Sequence, residues 1–323
     1  MGNIFATLRS KPVALAPMAG VTDAPFRAAV RQYGVALVYS EMVASAELLR
    51  DRRSAALRLK LDHEDGPIAI QLAGRDPTAL AEAARIAEAE GAILIDINMG
   101  CPAKKVVGGL CGSALMREPD LACALVRAVV ETVKIPVTVK MRLGWDDADR
   151  NAPDLARQLE GEGVQAISVH GRTRAQFYEG DADWRFIANV KQAVSIPVFA
   201  NGDVRATDDA LRILKESGAD GILVGRGAFG KPWIIRQMQA AVDGTPIPED
   251  PPIEEKWRTA LQQYRASLAH YGPDLGRRVV RKHLGWYADA IASDKALRDA
   301  LVRAGDAEPL LARLAGVAFA EAA

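Results

Sequence analysis

Residues 92–105 read AILIDINMGCPAKK. The run opens apolar without alternation, as expected of a parallel strand buried on both faces. It ends abruptly in an Asn and a Gly-Cys-Pro turn, so polar chemistry sits where the strand stops. Seven other runs share this character: VALAP (13–17), VALVYSE (35–41), PIAIQL (67–72), PVTVKM (136–141), AISVHG (166–171), PVFANG (197–202) and GILVGRG (221–227). Between most of them lie amphipathic stretches such as DPTALAEAARIAEAEG (76–91) and DLARQLEGEG (154–163), opened by Asp and closed by Gly as helices are. Eight strand–helix units in about 230 residues predict an α/β fold, a (β/α)8 TIM barrel, over an open doubly wound sheet.

The alternation stops near residue 243. DGTPIPEDPP (243–252) carries four prolines and reads as a linker. From 253 onward no β-like run appears, and the apolar spacing is helical. The sequence thus predicts a barrel over 1–242, a linker over 243–252, and a small all-helical domain over 253–323. A chain of 323 residues is long enough for both.

No apolar stretch approaches the roughly 18–20 residues of a membrane helix. The segment MGNIFATLRSKP lacks the apolar run of a signal peptide, and Ala6 stands where a myristoylation signal has Ser or Thr. The expected compartment is the cytoplasm, with no membrane partner. Cys101, Cys111 and Cys123 are odd in number and lack C-x-x-C spacing, which argues against disulfides and structural zinc; no metal is expected. Forty-one basic residues balance forty-one acidic ones, so contact with nucleic acid would need local clustering. One cluster exists: Arg277, Arg278, Arg281 and Lys282, beside His283, Trp286 and Tyr287. Spacing at i and i+4 sets the four cations on adjoining stripes of one helix. They read either as a solvated face or as a surface where cations meet phosphates and rings stack bases.

A barrel of this kind works at the C-terminal ends of its strands. Those ends carry Pro17, Met18 and Ala19, then Glu41, Gln71, Asn98 with Cys101, Lys140 with Arg142, His170 with Arg172, Asn201 with Asp203, and Gly225 with Arg226. Any one alone could be a satisfied structural group. Their convergence implies a ligand, because so many buried polar groups would otherwise lack partners. ANGDV and VGRGAFG, after the last two strands, supply glycines, helix-terminal amides and Arg226, the usual phosphate site of such barrels. Lys140 can meet an electron-rich ring, Gln71 the edge of a heterocycle, and His170 and Arg172 add donors. The pocket suits an anionic, phosphate-bearing, redox-active ring.

APMAGVTDAPFR (16–27), SEM (40–42), IQLAG (70–74), DINMGCPAKKVVGGLCGSALM (96–116), VKMRLGW (139–145), HGRTR (170–174), ANGDV (200–204) and VGRGAFGKPWI (224–234) closely resemble the tRNA-dihydrouridine synthases, the bacterial B type above all. The resemblance extends into the tail through YGP (271–273) and RKHLGWY (281–287). It implies an FMN-dependent enzyme that uses NADPH to reduce the C5–C6 bond of particular uridines in tRNA, with the helical tail gripping the tRNA. Carried over, it places Pro17, Met18 and Ala19 along the flavin, and Gln71 and Lys140 at its ring. Asn201, Gly202, Asp203, Gly225 and Arg226 fall around the ribityl phosphate, and His170 between flavin and substrate. Asn98 becomes the reader of the uracil edge, with Arg142 and Arg172 on the substrate side and Arg277, Arg278, Arg281 and Lys282 on the tRNA.

Within that resemblance Cys101 is the acid that protonates C5 after hydride reaches C6. A free thiol, with a pKa near 8.5, is protonated at neutral pH yet acidic enough for the task. The target base must leave its stack to reach a barrel mouth. B-type likeness implies a D-loop uridine. Cys111 reads as packing, and a monomer is expected. No separate G-x-G-x-x-G fold is present, so NADPH would visit the flavin face itself. Two rival readings stay open: an FMN barrel reducing a free pyrimidine or dihydroorotate, and a non-catalytic RNA-binding module.

Overall fold

The computed structural model describes residues 4–50 and 66–317. Among these residues nine parallel strands form one sheet: β1 (Val13–Leu15), β2 (Val38–Tyr39), β3 (Val43–Ala44), β4 (Ile68–Ala73), β5 (Leu94–Met99), β6 (Val137–Arg142), β7 (Ala166–His170), β8 (Val198–Asn201) and β9 (Gly221–Val224). β1 pairs with β9, and β2 pairs with both β1 and β4, which closes an eight-stranded barrel. The predicted (β/α)8 barrel is therefore present. It differs at the second run, where VALVYSE yields only the two residues of β2; the chain then returns as β3, which lies on the end of β4.

Helices cover the outside, and their starts follow the sequence signals. Asp23, Asp76 and Asp183 cap the helices Ala24–Arg31, Pro77–Ala89 and Trp184–Ala193 by accepting the amides of Phe26, Ala79 and Phe186. Gly218, at φ +64, ends Thr207–Ser217 in the left-handed conformation that a side chain would strain.

The barrel interior is layered. At the N-terminal end Ala14, Leu37, Ala69, Leu94, Phe199 and Leu223 pack together, and Ile4 and Leu8 of the helix Ile4–Ser10 join them to close the bottom. Higher up the inner face turns polar, first through Gln71, Asp96, Thr138 and Ser168, then through Asn98, Lys140, His170 and Asn201. The period of two that sets these residues inside also sends Ile95, Ile97, Val139 and Val169 outward against the helices.

After residue 252 the chain forms helices Ile253–Tyr271, Pro273–Ile291, Lys295–Arg303 and Glu308–Leu314. Residues 318–323 of the predicted helical domain lie outside the described residues. Trp257, Leu261, Tyr264, Leu284 and Tyr287 build the core of this segment, and Tyr33 and Trp233 from the barrel enter it. Full burial of each such ring contributes on the order of 2 kcal/mol. Tyr33 and Thr259 share a hydrogen bond of 2.8 Å, and Tyr271 Oη donates to Asp23 at 3.2 Å, so the helices are fastened to the loop after β1. Among the described residues no helix is long and apolar enough to cross a membrane.

Candidate active site

A cavity of about 410 Å³ opens at the C-terminal end of the barrel. It collects every strand-end candidate on the flavin side of the sequence reading: Pro17, Met18 and Ala19 from β1, Gln71 from β4, Lys140 from β6, His170 from β7, Asn201, Gly202 and Asp203 from β8, and Gly225 and Arg226 from β9. Asn98, Cys101 and Arg142 line it too.

The floor is a hydrogen-bonded chain. Gln71 Nε2 donates to Asp96 at 2.7 Å, Asn98 Nδ2 donates to Gln71 Oε1 at 2.9 Å, and the amides of Gly100 and Cys101 donate to Asn98 Oδ1 at 3.2 and 2.9 Å. The carbonyl of Cys101 accepts both the amide and the hydroxyl of Ser113. Gly112, at φ +61, lets the following loop pass there, since a Cβ would lie 2.8 Å from that carbonyl oxygen. Cys101 is therefore fixed through its backbone and half-exposed to the cavity.

Lys140 makes no hydrogen bond or ion pair among the described residues and points into the cavity. Burial lowers its ammonium to about 8, against the pull of Asp96. His170 is pushed well below its ordinary value by burial and by Lys140, Arg142, Arg172 and Arg226, so its ring is neutral. Among the described residues the site thus combines a cation with no hydrogen bond or ion pair, Lys140, and a neutral imidazole, His170.

At the end of the cavity formed after β8 and β9, Gly202 adopts φ +119 and Asp203 φ +56, an uncommon conformation for a residue with a side chain. A Cβ on Gly202 would meet His170 Cδ2 at 2.7 Å, and one on Gly227 would meet the Val204 carbonyl at 2.2 Å, so both positions require glycine. Asp203 binds Arg172 at 2.6 Å, Arg226 at 3.2 Å and Arg205 at 3.5 Å. Burial alone would raise this carboxyl, but Arg172, the Ala182 amide and Arg226 hold it below its ordinary value. Its carboxylate thus orients arginines, and Arg226 and Arg205 stand beside the glycine turns at this end of the cavity.

Some expected residues are placed differently. Arg172 is buried, does not line the cavity, and spends its guanidinium on Asp203 and the carbonyls of Glu179 and Gly180. Arg142 reaches the cavity wall, but its donors are held by the carbonyls of Gly100, Thr173 and Phe177 at 2.7–2.8 Å, so it braces the turn before Cys101. In the helical segment Arg278, Arg281 and Lys282 are exposed, and Lys282 Nζ comes within 3.4 Å of where a Cβ on Gly20 would stand, beside the cavity rim. Arg277 instead turns toward Tyr264 and Asp306. His283 and Tyr287 are buried, and Trp286 is stacked on Phe229, so these rings pack the structure and are not free to stack bases. Arg205, Tyr178 and Phe229 line the cavity without having been singled out. They sit on loops, where no periodicity marks a facing side.

The dihydrouridine synthase family model matches residues 14–323. The chain belongs to the dihydrouridine synthase family. It is 52% identical over 311 residues to a Rhodobacter capsulatus protein named "Probable tRNA-dihydrouridine synthase", covering 96% of this chain and 95% of that one. A Rickettsia conorii protein of the same name is 48% identical over 93% of this chain and 90% of its own. The "tRNA-dihydrouridine synthase B" of Pseudomonas aeruginosa is 45% identical over 91% of this chain and 89% of its own. Family membership thus spans the barrel and the helical segment together.

Proposed function

We propose that the protein is an FMN-dependent tRNA-dihydrouridine synthase that uses NADPH to reduce the C5–C6 bond of a D-loop uridine. The names of its relatives support the reaction class. The observation that carries the chemistry is that Lys140, a cation with no hydrogen bond or ion pair among the described residues, and Cys101 face one cavity whose far end is a glycine turn flanked by Arg205 and Arg226.

These residues fit FMN. The glycines at 202, 225 and 227 let the backbone approach a phosphate, and a Cβ on Gly225 would stand 3.5 Å from Met18 Sδ, where the ligand would enter. Lys140 and Gln71 would hold the ring, while Pro17, Met18 and Ala19 would flank it. Bound FMN, reduced by NADPH, supplies the hydride for C6. Asn98 orients the uracil, and Lys140 opposes negative charge beside it. Cys101 gives up its S–H proton as the new C5–H bond forms, and water restores the thiol. His170, being neutral, can accept or donate one hydrogen bond without adding positive charge.

The helical segment over 253–323 serves as the tRNA-binding domain, following the barrel of 1–242 and the linker of 243–252. Lys282 beside Gly20 brings its basic face to the rim of the cavity, which favours an RNA substrate over a free pyrimidine. A substrate and reductant of this kind support a cytoplasmic location. The lining residues named above all come from one chain, which supports a monomer.

The test is mass spectrometry of unmodified tRNA after incubation with the protein, FMN and NADPH. A dihydrouridine mapped to the D-loop is the expected product. NADPH oxidation without that product would move the substrate to another RNA or a free pyrimidine.

A further inference from the structure

One fully buried carboxylate beneath the cavity has no role in this chemistry. Asp96 lies on the inner face of β5, two positions before Asn98 and in register with Gln71 of β4 and Thr138 of β6. We infer that Asp96 is a positioning residue that sets the orientation of the Asn98 amide through Gln71, and so holds the backbone of Cys101. The inference rests on the proposed role of Cys101 as the acid.

Both ends of the chain are fixed in kind. An ionised carboxylate only accepts, and a backbone N–H only donates. Burial raises Asp96 to about 6, opposed by hydrogen bonds from Gln71 and Thr138 and by Lys140, and both of its oxygens are placed as acceptors. Thr138 Oγ1 donates to Asp96 Oδ1 at 2.7 Å, which leaves Oδ2 for Gln71. Gln71 must then present its NH2 downward and its oxygen to Asn98. Asn98 must in turn present its NH2 to Gln71 and its oxygen to the amides of Gly100 and Cys101. Neither amide can flip without setting donor against donor or acceptor against acceptor, each a buried group left unsatisfied.

A consequence for recognition follows. Asn98 Oδ1 already accepts two amides and Nδ2 already donates once, so only one N–H remains for a ligand in the cavity. Its complement is an acceptor. Asn98 therefore suits a carbonyl oxygen of uracil, and facing the 4-position it would oppose the amino group of cytosine.

The test compares Asp96→Leu and Asp96→Asn in the full-length flavin-loaded protein, reading amide hydrogen exchange and the reoxidation of reduced flavin by unmodified tRNA. In Asp96→Leu, exchange should rise at Gly100 and Cys101 while the β5 amides stay protected, and uridine-dependent reoxidation should fall about 10²-fold, the effect of a small misplacement at a reacting centre. Asp96→Asn can still offer oxygen to Gln71 and nitrogen to the Thr138 hydroxyl, so it should restore both readouts to within about tenfold of the original. Unchanged exchange at Gly100 and Cys101 in Asp96→Leu would overturn the proposal. So would exchange rising along all of β5, which marks a role in folding, or equal impairment in the two variants, which marks a role for charge. If the unaltered protein made no dihydrouridine while the exchange pattern held, the proposed activity would fail and the positioning chain would stand.

Discussion

The ring of Phe229 is stacked on that of Trp286, with centroids 3.9 Å apart and planes 16° from parallel. Phe229 lines the cavity and Trp286 belongs to the helix Pro273–Ile291, so the wall of the site and the helical segment share one contact. Gly230 permits it: at φ +67, a Cβ there would lie 2.1 Å from the Trp286 carbonyl oxygen. Trp286→Ala removes the stack and should destabilise the protein by about 3 kcal/mol, the low end for such truncations because the ring is only half-buried. Chemical unfolding would read the loss. Binding of tRNA should weaken more than binding of FMN; a variant as stable as the original would show that the stack carries little.

Much of this site was legible because a polar residue closing an apolar run is a local signal, and barrel topology brings such ends together. Asn98, Lys140, His170 and Asn201 were found that way. What the sequence withheld is where each polar group spends its hydrogen bonds. Arg142 and Arg172 look like ligand contacts because they stand at or just beyond strand ends, yet loop carbonyls from residues 173–180 claim their donors. Asp96 hid inside an apolar run, although its spacing of two from Asn98 already set both on one face. In the tail the inner stripe Gly276, Val280, His283, Leu284 and Tyr287 follows helical spacing, which buries the rings that a composition count offered to RNA.

Cys101→Ala should keep flavin bound and NADPH oxidation intact while uridine reduction falls by at least about 10²-fold, as expected when a positioned acid is lost. Among the described residues the Cys111 thiol bonds to the Gly109 carbonyl alone, so Cys111→Ala should stay within about twofold, in the range of changes away from a reacting group. Single-turnover product analysis of the two variants checks both. Equal loss in the two would transfer the role from Cys101 to the loop that carries them.

Lys140 links flavin affinity to pH. With its value near 8 before ligand binds, the ammonium is charged below that pH and lost above it. An anionic ligand favours the charged form, so FMN affinity should fall as pH rises from 7 to 9, by at most about tenfold per unit. Lys140→Gln should bind more weakly at pH 7 and show no such fall. Flavin fluorescence titrations across that range measure it, and a slope retained in the variant would assign the titration to another group.

The exposed basic face makes the last prediction. Arg278 and Arg281 lie on the outer side of the helix Pro273–Ile291, whereas Arg277 turns inward to Tyr264 and Asp306. If the first two meet phosphates, Arg278→Ala with Arg281→Ala should weaken tRNA binding and reduce the slope of log affinity against log salt by about 1.5 to 2, close to one counterion per lost contact. FMN affinity should not change, since neither side chain lines the cavity. Arg277→Ala should act differently, lowering stability with little effect on the salt slope, because it removes the cation that turns toward Asp306 and Tyr264. Filter binding of tRNA at several salt concentrations separates the three positions. An unchanged slope in the double variant would move the RNA contact off this helix.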